Sequence, residues 1–137
     1  MKKTLSLDFD GVCHQYITSW SGPEIIHDPP VRGLFEFLLA VHPYFTIEIY
    51  STRSETDGGR KAMRNWFYKW GVEWSKGNPD AEDDISDVLS ALRFPSSKPK
   101  AFVGLDDRIL TFEGLWPEVS TLLNWKPWNK RDGFLPE

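Results

Sequence analysis

Three short apolar runs in this chain each end abruptly in side chains that carry oxygen or charge, and segments of helical periodicity lie between them. The first, residues 3 to 9, contains Asp8 and meets Asp10-Gly11. The second, Phe45 to Tyr50, breaks into Ser51-Thr52-Arg53. The third, Ala101 to Leu105, runs into Asp106-Asp107-Arg108. Short runs rich in apolar, β-branched and aromatic residues bounded by turn formers suit strands. Between them, Val31, Leu34, Phe35, Leu38 and Leu39 recur at helical spacing after Pro29-Pro30, as do Met63, Trp66, Phe67 and Trp70 after Asp57-Gly58-Gly59. Strands alternating with helices of this length predict an α/β fold with a mainly parallel sheet, and such sheets bind ligands at the carboxyl ends of their strands. The three polar run-ends are therefore expected to meet at one sheet edge.

The remaining elements follow from local signals. The helix opened by Pro29-Pro30 should end before Pro43, and the second should stop at Gly71 as a C-cap, leaving Val72 to Ser75 as a short extra strand. Asp80 to Leu92 reads as a helix whose acidic first turn complements the macrodipole. Trp116 to Leu123 predicts a last short helix, followed by a tail over 124–137 with Trp125, Trp128 and Phe134. Residues 12 to 30 mix Pro, Gly, aromatics, His14 and His27 without a period and predict a flap. No repeat or linker interrupts the 137 residues, so a single domain over 1–137 is expected, and 40% hydrophobic residues with nine Phe and seven Trp give it a core.

A formal charge of −4 argues against a broad polyanion-binding surface, which needs many Lys and Arg. One cysteine, Cys13, cannot form an internal disulfide, and no run approaches the ~20 apolar residues of a membrane span. A charge-interrupted N-terminal stretch does not read as a secretory segment, so a cytoplasmic setting without membrane contact is expected.

Asp8, Asp10, Asp106 and Asp107 gathered at one edge would repel one another, because like charges a few ångströms apart disfavour joint ionisation. A hard cation such as Mg²⁺, which prefers oxygen ligands and commonly takes carboxylates together with phosphate oxygens, resolves that repulsion. With these residues in this order the chain resembles the haloacid-dehalogenase (HAD) superfamily from Leu5 to about Pro117. The resemblance implies a three-layer Rossmann-like core around a central, mainly parallel sheet. It implies Asp8 of Asp8-Phe9-Asp10-Gly11-Val12 as nucleophile and Asp10 as general acid/base, both contributing to Mg²⁺, Asp10 through its backbone carbonyl. Ser51 would hold a phosphate oxygen, with Thr52 the lesser candidate. Lys98, with Lys100 competing, would be the phosphate-neutralising lysine, Asp106 a metal ligand, and Asp107 its supporting neighbour. A carboxylate at position 10 favours phosphate-ester hydrolysis through an aspartyl-phosphate over carbon–halogen cleavage.

Many members of that family carry a cap domain. Here 43 positions separate Asp8 from Ser51 and 47 separate Ser51 from Lys98, which leaves a short flap and no domain-sized cap. An open site implies a phosphorylated substrate with bulk outside the pocket. A weaker similarity to the phosphatase domain of polynucleotide kinase-phosphatases, in Ser51-Thr52-Arg53 and Leu105-Asp106-Asp107-Arg108, points to a nucleic-acid end. Monomer and homo-oligomer stay open. The alternatives are a HAD-fold module without catalysis and a receiver-like phosphate-binding signalling domain, although a receiver places its acidic pair first and its phosphorylated Asp centrally.

Several residues carry two readings. Arg53 could bind substrate phosphate or pair with Glu55 or another acid as scaffold. Arg108 suits bracing of the loop after the acidic pair. Trp20, in the aperiodic flap, could contact a leaving group or simply pack. His14 and His27 could touch substrate from the flap, whereas His42 reads as a helix-end residue. Trp66, Trp70 and Trp74 read as core packing rather than a stacking ladder, and Asp80 to Asp87 as a solvated helix start.

Overall fold

The computed structural model describes residues 2–130 and has a small mixed α/β architecture. In chain order the elements are β1 (Lys3–Leu7), α1 (Leu34–Val41), β2 (Phe45–Ile49), α2 (Asp57–Lys76), α3 (Glu82–Ala91), β3 (Val103–Leu105) and α4 (Val119–Leu123). Single 3₁₀ turns occupy Thr52–Glu55, Pro79–Ala81 and Trp128–Lys130. The strands form one parallel sheet in the order β2-β1-β3, as the alternation of strand and helix predicts. Phe134 and the end of the expected tail lie outside the described residues.

Strand alternation sets the core. Leu5, Leu7, Ile47 and Ile49 point to one face and are buried together with Leu34, Phe35 and Leu38 of α1, Met63, Trp66 and Phe67 of α2, and Ile85, Val88 and Leu89 of α3. Burying each such aliphatic side chain contributes about 2 kcal/mol. The opposite face, with Thr4, Ser6, Thr46 and Glu48, is only half-buried, and α4 buries none of its residues. No helix among the described residues is long and apolar enough to cross a membrane.

Three local expectations are corrected. Instead of opening at Pro29-Pro30, α1 starts at Leu34, because Pro30 bridges to His14, Val31 N–H donates to Cys13 O (2.8 Å), and Gly33 takes a left-handed φ of 90° just before the helix. The predicted Val72–Ser75 strand is helical. Gly71 does not end α2 but lies buried within it, where a Cβ would come 2.7 Å from Leu89 Cδ1. Its missing side chain lets α2 and α3 approach, and α2 ends instead at Gly77. Finally, β3 covers Val103–Leu105 rather than the whole Ala101–Leu105 run, and it is exposed: Val103 is 43% and Leu105 45% accessible, on a strand paired, among the described residues, only to β1. Trp66 is buried, and Trp70 and Trp74 pack on the core, as their helical spacing predicts.

Candidate active site

Parallel register brings the run-ends together. Leu7 lies opposite Ile49 on one side and Leu105 on the other, so the next residues of each strand, Asp8, Tyr50 and Asp106, emerge side by side at the carboxyl edge. Asp8 N–H donates to Leu105 O (3.0 Å) and Tyr50 N–H to Leu7 O (3.0 Å), which extends the ladder to the site itself. Beyond Asp8 the chain turns sharply through Gly11, at φ 84°. A Cβ on Gly11 would overlap the Asp107 carboxylate, so glycine here is what lets the two loops close together.

Asp8, Asp106 and Asp107 each offer a carboxylate oxygen, and these oxygens all lie within 4.8 Å of one another. Burial, and then the neighbouring charges of Asp106 and Asp107, push the Asp8 carboxyl from 3.8 up to about 8, against the opposing donation of Phe9 N–H. Phe9 N–H meets Asp8 Oδ1 at 2.8 Å. Burial and Asp106 also raise Asp107, while its hydrogen bond with Asp8 and the charge of Arg108 work the other way. Asp107 Oδ1 is buried without a hydrogen-bond partner among the described residues. An orphaned buried carboxylate oxygen within a cluster of three hard oxygen donors fits a divalent cation such as Mg²⁺. Asp107 therefore sits in the cluster itself rather than behind it.

A cavity of about 830 Å³ opens on this edge and is lined by Asp8, Ser51, Thr52, Lys98, Asp106 and Arg108, with Phe102, Val103, Leu105 and Ile109 as an apolar wall. Lys98 reaches this lining; Lys100 is not part of it. Ser51 is buried and its hydroxyl caps the following 3₁₀ turn by accepting from Arg53 N–H (3.1 Å), whereas Thr52 is exposed on the cavity wall. Arg108 shares the cavity with Asp106.

Asp10 faces elsewhere. Its carboxylate stands outside the three-acid cluster and accepts from Arg53 Nε (3.0 Å to Oδ2, 3.2 Å to Oδ1) and from His14 Nδ1 (2.9 Å). Arg53 is 1% exposed, and its Nη1 donates to the carbonyls of Gly22 (3.1 Å), Pro23 (3.0 Å) and Ile25 (3.0 Å) in the flap. Trp20 lies over the same guanidinium at 4.5 Å while staying 44% exposed. The acid that Arg53 pairs with is thus Asp10, not Glu55. His14, read from sequence as a flap residue within reach of substrate, is 1% exposed, and His27 bonds Ser21 Oγ at 2.8 Å. Cys13 is fully buried beside Asp8, with Sγ donating to Asp8 O at 3.4 Å. The C-terminal turn ties down the flap's root: Trp128 Nε1 donates to Gly11 O (2.7 Å) and Asn129 Nδ2 to Gln15 O (2.7 Å).

Sequence reasoning missed the Asp10–His14 pair. The only available signal was a His four residues after an Asp, across a Gly-containing turn that folds back on itself.

Compared with models of known protein families, with curated protein sequences and with solved structures, the chain matches none.

Proposed function

We propose that this chain is a Mg²⁺-dependent phosphatase with a small HAD-like core and no domain-sized cap, working through an aspartyl-phosphate on Asp8. The observation that carries the reading is a half-buried Asp8 wedged between Asp106 and Asp107, at the mouth of a cavity that also holds Lys98, Ser51 and Thr52. Protonated, Asp8 is no nucleophile; in place of that proton, a cation bound to the cluster would offset the three negative charges and polarise phosphate oxygens for attack.

The chain's own groups supply the rest. Lys98 places a positive charge in the cavity against the substrate phosphate, and the Thr52 hydroxyl offers a donor to its oxygens. The Asp8 carboxylate attacks phosphorus, the bond from phosphorus to the leaving oxygen breaks, and Asp10 as general acid gives that oxygen a proton. Asp10, now a base, takes a proton from water, whose oxygen bonds to phosphorus. The bond to Asp8 breaks, returning its electron pair to the carboxylate. The open cavity suits a substrate whose bulk stays outside, with a phosphorylated nucleic-acid end as one such class.

The test is phosphate release from an aryl phosphate by wild type with Mg²⁺, by wild type in EDTA, and by Asp8→Asn. Release only in the first is expected, and equal release in all three refutes the mechanism. Hydrolysis of small esters without any hydrolysis of 3′-phosphorylated oligonucleotides would remove the nucleic-acid end.

A further inference from the structure

Asp10 is held by a built-in frame that no part of the proposed mechanism uses. His14 is buried, stacked on Phe9 (centroids 5.4 Å apart, planes 20° apart) and met edge-on by Trp66 at 5.9 Å, so its ring has one orientation. Its tautomer is fixed as well. The Asp28 backbone N–H donates to His14 Nε2 (3.0 Å), which makes Nε2 the bare nitrogen and leaves the hydrogen on Nδ1, 2.9 Å from Asp10 Oδ1. Asp28 in turn anchors the flap: its carboxylate accepts from Ile17 N–H, Thr18 N–H and Thr18 Oγ, and its carbonyl accepts from Trp66 Nε1. Arg53 holds the flap's other arm through three carbonyls and grips Asp10 from the opposite direction. Both arms of the flap thus end on one carboxylate.

We propose that His14 is a positioning residue for Asp10: its Nδ1–H aims the carboxylate, so that the flap and the acid/base move as one unit. This rests on the phosphatase reading. The step most exposed to it is hydrolysis of the phosphate on Asp8, in which Asp10 must accept a proton from the attacking water along a defined direction. All the side-chain contacts to Asp10 named above are donors, and together they fix the direction of its carboxylate. A carboxylate free to rotate loses that aim, and misplacement of a catalytic group by about 1 Å lowers a rate by about a hundredfold.

His14→Phe keeps the stacking on Phe9 and removes both nitrogens. His14→Asn keeps a donor in the place of Nδ1, and His14→Gln carries its amide out toward Asp28 instead. With an aryl phosphate, whose leaving group needs little help from an acid, rapid acid quench gives the fraction of protein carrying phosphate on Asp8 alongside the turnover number. The expected result is a fall in turnover of roughly tenfold to a hundredfold in His14→Phe, with a higher phosphoenzyme fraction than wild type, the same pattern in His14→Gln, and recovery of most activity in His14→Asn. A merely structural role lowers turnover without raising the trapped fraction, and that result overturns the proposal, as does an unchanged His14→Phe. If His14→Phe does not fold, the Asn and Gln variants decide alone, and equal behaviour of the two overturns it. Wild type without turnover, or with turnover that survives Asp8→Asn, overturns the phosphatase reading and this inference with it. Turnover that needs Asp8 but not the His14 donor overturns the inference only.

Discussion

Replacing Asp8 by Asn removes the one carboxyl that burial and two acidic neighbours push from 3.8 up to about 8. In the unfolded chain it titrates near its ordinary value, so between the two values the folded protein binds the extra proton. Stability from this group is full below about pH 4 and is lost as pH rises through the folded value. The slope is about 1.4 kcal/mol per pH unit where the folded form is protonated and the unfolded one is not. Levelling as the folded value is reached, the loss between about pH 6 and about pH 8 is roughly 2 kcal/mol from Asp8 alone, and the raised Asp107 acts with the same sign. At a urea slope of about 2 kcal/mol per molar, this moves the midpoint down by about 1 M. Urea melts of wild type and Asp8→Asn in EDTA should therefore diverge with rising pH, with the Asn variant the more stable at the alkaline end. Saturating Mg²⁺ should flatten the wild-type dependence, because a cation bound by the folded form takes the proton's place. Parallel curves for the two proteins in EDTA would refute the account of Asp8.

Arg53→Met leaves the partly buried Asp10 carboxylate without its guanidinium and strips three flap carbonyls of their donor; a loss of about 3 kcal/mol is expected in urea melts. Gly71→Val places a branched side chain against Leu89, and Phe35 Cε1 lies 3.4 Å from the new Cβ, so a cost of about 1–3 kcal/mol should appear as a lower Tm. Cys13 is fully buried, with burial and the nearby Asp8 and Asp10 pushing its thiol far up, so it should resist a disulfide-exchange reagent in buffer and react stoichiometrically in denaturant.

The sheet and its polar edge were legible because strand ends are marked chemically: an apolar run that stops at oxygen-bearing side chains states both where the strand ends and what it delivers. Register did the rest, since Leu7, Ile49 and Leu105 are paired neighbours. Gly71 misled because a glycine that lets two helices touch looks, in sequence, like one that ends a helix. The exposure of β3 was illegible for a different reason. Its composition reports that it is apolar, but whether an apolar strand is covered depends on the chain beyond it, and α4 buries nothing. The Asp10 frame was illegible because its partners arrive from three places, residue 14, residue 53 and the carbonyls of 22 to 25, and backbone carbonyls leave no mark in a sequence.

Two aspartates two positions apart thus occupy opposite environments, and the cause is where the strand stops. Had β1 continued through residue 10, alternation would have turned Asp8 and Asp10 to the same face, into one repelling group. Instead β1 ends at Leu7, and His14 N–H donates to Phe9 O (2.9 Å) while Gly11 N–H donates to His14 O (2.8 Å), folding the chain back on itself. Asp8 stays among acids, and Asp10 is carried to donors. Separate environments for paired carboxyl groups are what a nucleophile and an acid/base require if one is to bond to phosphorus while the other moves protons. On the phosphatase reading the flap does not close over substrate as a domain; its two arms determine where the second carboxylate points.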